Sequence, residues 1–142
     1  MKLFDRIQTV FTNAKTPPAA FRDAELGSLT SEAGLWRGVA KRDDLYIPFT
    51  VAGTAAAPDG GLLGHVRDLT RRFHEVESEG LAFLRAEVPE VSARKFTFHG
   101  LEFLREDEPG AFTLEWLAHG DDTYFWRVSY EAGKPKVAGS DD

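Results

Sequence analysis

Residues 111–130 read AFTLEWLAHGDDTYFWRVSY and carry the clearest structural pattern in the chain. Apolar and polar side chains alternate through both halves of it, with the period of two that a half-buried β-strand shows. The His-Gly-Asp-Asp sequence at 119–122 is typical of a hairpin turn. The stretch therefore predicts two neighbouring antiparallel strands. The alternating apolar residues are Phe112, Leu114 and Trp116 in the first strand and Tyr124, Trp126, Val128 and Tyr130 in the second.

Two more strands extend this hairpin in both directions. Runs near 96–106 and 135–138 are separated from it by the turn sequences Asp-Glu-Pro-Gly and Glu-Ala-Gly-Lys, which favour reversals of the chain. Residues 95–138 are thus predicted to form a four-stranded meander, with strands at 111–118 and 123–130 in its centre. Gly100 within the first strand indicates a bulge or a bend.

An earlier meander is predicted over residues 21–52. Strands near 23–29, 35–41 and 45–52 are punctuated by polar turns at 30–34 and 42–44. Pro48 indicates a sheet edge or a bulge in the third strand, because proline cannot donate a hydrogen bond to a ladder.

Two helices are predicted from apolar residues at steps of three and four. One long helix lies within 60–88, with Asp59 as its N-cap and Gly80 on its apolar stripe. A short amphipathic helix lies within 1–16 and ends at Pro17, since proline disfavours helix. The short helix has the stripe Leu3, Phe4, Ile7, Val10 and Phe11, and the long one Leu62, Val66, Leu69, Phe73, Val76 and Phe83.

These elements predict one α+β domain over residues 1–142. About seven strands in two meanders form a largely antiparallel sheet, packed by one long helix and a short N-terminal helix. A chain of 142 residues with 42% apolar composition suffices for one hydrophobic core.

Composition narrows the functional classes. The chain has no cysteine, which suits a reducing compartment. Its formal charge of -6 disfavours binding to nucleic acid or anionic lipid. Asp5 and Arg6 interrupt any signal-peptide core, and no apolar run approaches the roughly 20 residues of a membrane span. We therefore expect a cytoplasmic protein that binds neither nucleic acid nor membrane.

Four short runs carry a family resemblance: ELGSL at 25–29, LWRGV at 35–39, EW at 115–116 and GDDTYFW at 120–126. Together they resemble a loose group of uncharacterised bacterial domains, some of them encoded near toxin-immunity genes. The resemblance implies a bacterial α+β sheet domain with no assigned catalytic residues.

The 119–122 turn is the strongest candidate for chemistry. His119, Asp121 and Asp122, with Glu115 on the preceding strand, offer ligands for a divalent cation. Glycine and aspartate are equally what a tight hairpin needs, and a turn tip rarely gathers enough ligands alone. The turn interpretation is favoured, and a metal-assisted hydrolase or small-ligand binder is the alternative.

No other catalytic, metal or cofactor site is predicted. The chain has no HExxH, GxSxG, P-loop or GxGxxG pattern. His65 and His74 are nine residues apart on a predicted helix, which places them on opposite faces.

The aromatic residues are the last signal. Trp36, Trp116, Phe125 and Trp126 are candidates either for the core or for a binding groove. Phe125 and Trp126 are neighbours on one strand and must point to opposite faces. If no helix covers the Phe125 face, an exposed aromatic patch follows. The sequence thus favours a non-enzymatic, immunity-like interaction module that binds a protein partner or a second copy of itself.

Overall fold

The computed structural model describes residues 19–108 and 110–141, with the side chains of residues 121–123 and 141 left undescribed. The predicted N-terminal helix within 1–16 lies outside the described residues. The strands are β1 Ala20–Asp23, β2 Gly27–Glu32, β3 Leu35–Arg42, β4 Leu45–Ala52, β5 Phe96–Phe103, β6 Phe112–Ala118, β7 Asp121–Glu131 and β8 Lys134–Asp141. The helices are α1 Gly60–Arg71 and α2 Phe73–Glu87, followed by a 3₁₀ turn at Pro89–Val91.

All eight strands form a single sheet in the order of the sequence. Strands β1 to β4 are antiparallel neighbours, and so are β5 to β8. The two meanders join where β4 and β5 pair in parallel, over only three residue pairs from Phe49↔Leu101 to Val51↔Phe103. Because parallel neighbours require a long crossover, α1 and α2 make that connection. The predicted combination of helices with a largely antiparallel sheet is confirmed.

The eighth strand corrects the prediction of a single strand at 23–29. The chain reverses there, because the Asp23 carboxylate accepts hydrogen bonds from the backbone N–H groups of Glu25 (3.0 Å) and Leu26 (2.8 Å). Gly27 leaves the turn at a φ of 86°, which favours glycine. The predicted turn at 30–34 is also too long: β2 continues to Glu32, and only residues 33 and 34 form the reversal.

The prediction of one long helix is wrong at Arg72. This residue has φ -122° and ψ 34°, so α1 ends before it and α2 begins after it. The apolar stripe runs on across the break through buried Leu69, Phe73 and Val76, which is why the periodicity did not indicate it. The break lets α1 contact β3 and β4 while α2 contacts β7 and β8.

Three glycine and proline predictions can be compared with the fold. Gly80 is buried as its place on the apolar stripe predicts, and a Cβ there would lie 3.0 Å from the Trp116 ring, so the missing side chain lets α2 approach the sheet closely. The bulge in β5 is confirmed too, between Phe98 and Gly100. Pro48 is not at the sheet edge: β3 pairs with it, and the ladder to β5 begins one residue later.

The core lies between the helices and one face of the sheet. Phe103, Phe112 and Tyr130 stack in a row across three strands, with ring centroids 5.0 and 4.3 Å apart. The Tyr130 hydroxyl donates to the backbone oxygen of Val76 in α2 (3.2 Å), and burial raises the pKa of that hydroxyl. The stacked rings pack β5, β6 and β7 together, and the Tyr130 hydrogen bond connects them to α2.

Candidate functional site

The face of the sheet opposite α1 and α2 is the candidate site, and we call it the open face. In β6 every second side chain is buried under the helices, whereas Thr113, Glu115 and Leu117 between them remain partly exposed. Val39 and Tyr46 on the same side of β3 and β4 are 51% and 64% exposed. No described helix packs on this side, so large apolar side chains remain in contact with solvent.

A groove of about 670 Å³ crosses the open face where the two meanders meet. Its position follows from the short parallel junction between β4 and β5 and from the bulge in β5. The groove is bordered by β3, β4, β5 and β6. Its main lining residues are Val39, Pro48, Thr50, His99, Glu102 and Glu115.

The bulge determines where His99 points. An extra residue in one strand shifts the alternation of its side chains. Phe98 therefore packs into the core against Phe73, with centroids 4.7 Å apart. His99 turns to the open face and contacts the Phe125 ring at 4.6 Å.

An ion pair lies beside His99. Arg127 Nε is 2.7 Å from Glu115 Oε2, and the Glu115 side chain is only 14% exposed. The two groups are close without hydrogen-bond geometry, so their attraction is Coulombic. His99 Nε2 is 3.8 Å from the other carboxylate oxygen of Glu115.

The second carboxylate of the groove differs from the first. Glu102 lines the groove, and within residues 19–108 and 110–141 no cation pairs with it. Glu32, farther along the open face, is paired with Arg37 at 3.0 Å. Glu102 therefore has spare capacity to accept a positive group from outside.

The groove combines apolar side chains with charged groups. Glu115 is paired with Arg127, and Val39 and Pro48 line the groove as well. Such a mixed surface is of the kind that protein interfaces use.

Two of the predicted aromatic candidates belong to the core. Trp36 and Trp116 are fully buried. Their indole N–H groups donate to the Thr54 backbone oxygen (2.9 Å) and to Glu77 Oε2 (3.0 Å). Neither offers a surface to a ligand.

The other two aromatic candidates separate as their positions on one strand require. Phe125 lies on the open face, beside His99. Trp126 packs partly buried against the core on the helix side. Its indole N–H has no hydrogen-bond partner among the described residues. An exposed aromatic patch at Phe125 was expected if no helix covered its face of the sheet. Within the described part of the chain, no helix covers that face.

The 119–122 turn is only partly described. His119 Nε2 lies 2.6 Å from the Thr97 hydroxyl, and Glu115 faces the groove. The side chains of Asp121 and Asp122 lie outside the description. Among the described side chains, no three His, Asp or Glu residues form a group that could hold a metal. The cation site at this turn stays a prediction.

Some groove residues were predicted and others were missed. Glu115 was a candidate at the level of the sequence, whereas its partner Arg127 was not. The two are paired in the β6–β7 register, which shifts by an irregularity between Leu117 and Ala118. Val39 and Pro48 are partners in the local β3–β4 hairpin. Glu102 lies near them only through the parallel pairing of β4 with β5, which joins distant parts of the chain and which no local pattern indicated.

A second ionic cluster lies at the helix side of the molecule. Asp23, whose side chain is 6% exposed, accepts from Arg67 Nη2 at 2.5 Å and Nε at 3.1 Å. These hydrogen bonds lower the pKa of Asp23 to about 2. Glu25 accepts from Arg71 at 2.6 Å and from Arg42, and its pKa is lowered mainly by Arg71. The cluster joins the β1–β2 hairpin to α1.

Neither helix in the described part of the chain is long and apolar enough to cross a membrane. Compared with protein-family models, curated proteins and solved structures, the chain matches none of them.

Proposed function

We propose that the protein is a non-enzymatic interaction module that binds a protein partner through its open face. The partner segment that fits is amphipathic, with apolar side chains and at least one lysine or arginine. The observation that supports this most is the 670 Å³ groove on a sheet face that no described helix covers.

Apolar side chains supply the driving force for binding. Val39, at 51% exposure, borders the groove, and Phe125 lies beside it. Covering such groups stabilises a complex by roughly 25 cal/mol per Å² of apolar surface removed from water. Aromatic anchors at the centre of an interface commonly contribute more than their neighbours.

Charge favours a positive group in the partner. Glu102 has no cation beside it within the described residues, and the chain carries a formal charge of -6. A carboxylate at the rim of a groove attracts a cation and speeds association. The proposal therefore assigns to Glu102 the recognition of a partner lysine or arginine.

Affinity capture from the native cell at physiological salt tests this function. The wild type is compared with Val39→Glu, which places a charge in the groove, and with Ala82→Glu, the same change on the exposed side of α2. We expect a reproducible protein that wild type and Ala82→Glu capture and Val39→Glu loses, and that binds purified wild type in calorimetry. Capture of nothing reproducible, or equal capture by all three proteins, would contradict the proposal.

A further inference from the structure

We propose that the partner bound by the open face is a second copy of this chain, packed face to face around a two-fold axis that runs along β4. This inference rests on the proposed function, because it names the partner for the same face. Strand β3 has the chemistry required of that partner. On the open face, its apolar Val39 lies between the cations Arg37 and Lys41.

The open side of β4 suits a position on the axis. Its side chains there are those of Tyr46, Pro48, Thr50 and Ala52, and none of these four is charged. A two-fold axis brings each residue on it opposite its own copy, so a charge at such a position would lie opposite a like charge. An uncharged strand on the axis avoids this repulsion.

The two neighbours of β4 carry opposite charges on the open face. Strand β3 presents Arg37 and Lys41, whereas β5 presents Glu102. Arg37 is opposite Thr50 in the β3–β4 register, and Thr50 is opposite Glu102 in the β4–β5 register. Rotation by 180° about an axis along β4 exchanges the two sides of that strand and leaves the position along it unchanged. Arg37 of each copy therefore lies opposite Glu102 of the other.

Both members of this cross-contact have capacity for a new partner. Glu102 pairs with no cation within residues 19–108 and 110–141. Arg37 is bonded to Glu32 through Nη1, and a guanidinium has further N–H donors at Nε and Nη2. The Arg37 side chain is 56% exposed. An ion pair that an interface shields from water is stronger than one on an exposed surface.

Charge on the rest of the surface disfavours other arrangements of two copies. On the open face, strands β2 to β6 carry two cations and three anions, which leaves a net charge of -1 out of the -6 of the whole chain. The remaining -5 belongs to other parts of the chain, which repel the same parts of a second copy. The charged residues counted on this face are Glu32, Arg37, Lys41, Glu102 and Glu115.

The overlap of the two faces is large enough for a stable dimer. Sheets that pack face to face lie about 10 Å apart with strands within about 30° of one another. With the axis along β4, strands β1 to β7 of the two copies overlap, about 29 Å across the strands and about 20 Å along β4. That is roughly 600 Å² of flat area, and the relief of the side chains raises the accessible area toward the ~800 Å² per partner of a specific interface. The overlap covers Val39 and Tyr46, which are exposed in one copy alone.

Sedimentation velocity of the full-length protein tests the dimer and its contacts. We expect wild type to form dimers. Arg37→Glu and Glu102→Lys each bring like charges together twice, so either variant should raise the dimer dissociation constant at least about tenfold. Glu87→Lys makes the same change of charge at the exposed end of α2 and should dimerise as wild type does. A monomeric wild type, or dimers that survive both open-face variants, would overturn the inference.

Mixing the two variants tests the two-fold arrangement itself. In a dimer of Arg37→Glu with Glu102→Lys, both cross-contacts join an acidic to a basic side chain. We expect the mixture to form dimers although neither variant does so alone. The double variant Arg37→Glu, Glu102→Lys should also dimerise, since its contacts are reversed but complementary. A mixture that stays monomeric contradicts a two-fold axis along β4.

Affinity capture distinguishes this inference from the proposed function. A monomeric wild type that captures a different protein, lost in Val39→Glu, overturns the inference and leaves the proposed function standing. Dimers that both single charge variants break, with capture of the native chain, support the inference. Dimers that survive both variants, with equal capture by wild type and Val39→Glu, overturn the inference and the proposed function together.

Discussion

The helix-side ionic cluster and the open-face groove use the same residue types in opposite ways. Asp23 is almost fully buried and accepts hydrogen bonds from Arg67 and from the backbone of Glu25 and Leu26. In the groove, Glu115 lies near Arg127 without hydrogen-bond geometry. The paired carboxylate of Asp23 stabilises the fold. Glu102, which pairs with no cation among the described residues, remains available for binding.

The largest difference in the loss of free energy of unfolding is expected between a buried and a partly exposed position on the same strand, β6. Leu114 is fully buried and its neighbour Thr113 is not. Leu114→Ala should lower the free energy of unfolding by about 3 kcal/mol, since it leaves a cavity in the core. Thr113→Ala should lower it by less than about 1 kcal/mol. Urea denaturation measures both, and equal losses would show that the two faces are covered alike.

Removing the buried carboxylate should have the next largest effect. Asp23→Ala leaves the Leu26 N–H and Arg67 without their acceptor, and we expect the free energy of unfolding to fall by about 2–3 kcal/mol. Glu102→Ala, which breaks no ion pair in the described structure, should change it by less than about 0.5 kcal/mol. Urea denaturation measures both variants. A larger loss in the free energy of unfolding for Glu102→Ala than for Asp23→Ala would contradict this prediction.

Acid should weaken the cluster in a defined window. The pKa of Asp23 falls from 3.8 to about 2 on folding, so its contribution is complete above pH 4 and disappears as the pH falls toward 2. The shift corresponds to roughly 2 kcal/mol. Asp23→Asn should flatten this part of the stability curve between pH 4 and pH 2. An unchanged slope in that variant would assign the acid sensitivity to other groups.

The smallest stability effect is expected on the open face, where the functional effect is largest. Val39→Glu should change the free energy of unfolding by less than about 0.5 kcal/mol, since Val39 is half exposed. The same variant should lose the captured partner. If thermal unfolding showed a large loss of stability in Val39→Glu, Val39 would support the fold. The capture experiment would then use the variant Glu102→Lys in place of Val39→Glu.

The alternation of apolar and polar side chains in the C-terminal half predicted the strands of that half well. The strands around 111–130 and the separation of Phe125 from Trp126 were confirmed, because a hairpin brings near neighbours together. The predicted turn at 119–122 is too long, since β7 begins at Asp121 and only residues 119 and 120 form the reversal. The pairing of Glu115 with Arg127 depends in addition on the register shift between Leu117 and Ala118. Prediction failed at Asp23, whose carboxylate accepts hydrogen bonds from the backbone and turns the chain. It failed also at Arg72, where the backbone leaves the helical conformation while the apolar periodicity continues.

Amino-acid order alone specified which residues alternate, where the chain reverses near 119–122, and the net negative charge, since these depend on neighbours within a few residues. The three-dimensional arrangement settled the parallel joining of β4 to β5, the helix break at Arg72 and the sheet face that no described helix covers. The joining depends on contacts between residues about 50 positions apart, such as Phe49 with Leu101, and no local pattern encodes such a contact. The groove exists because of that junction.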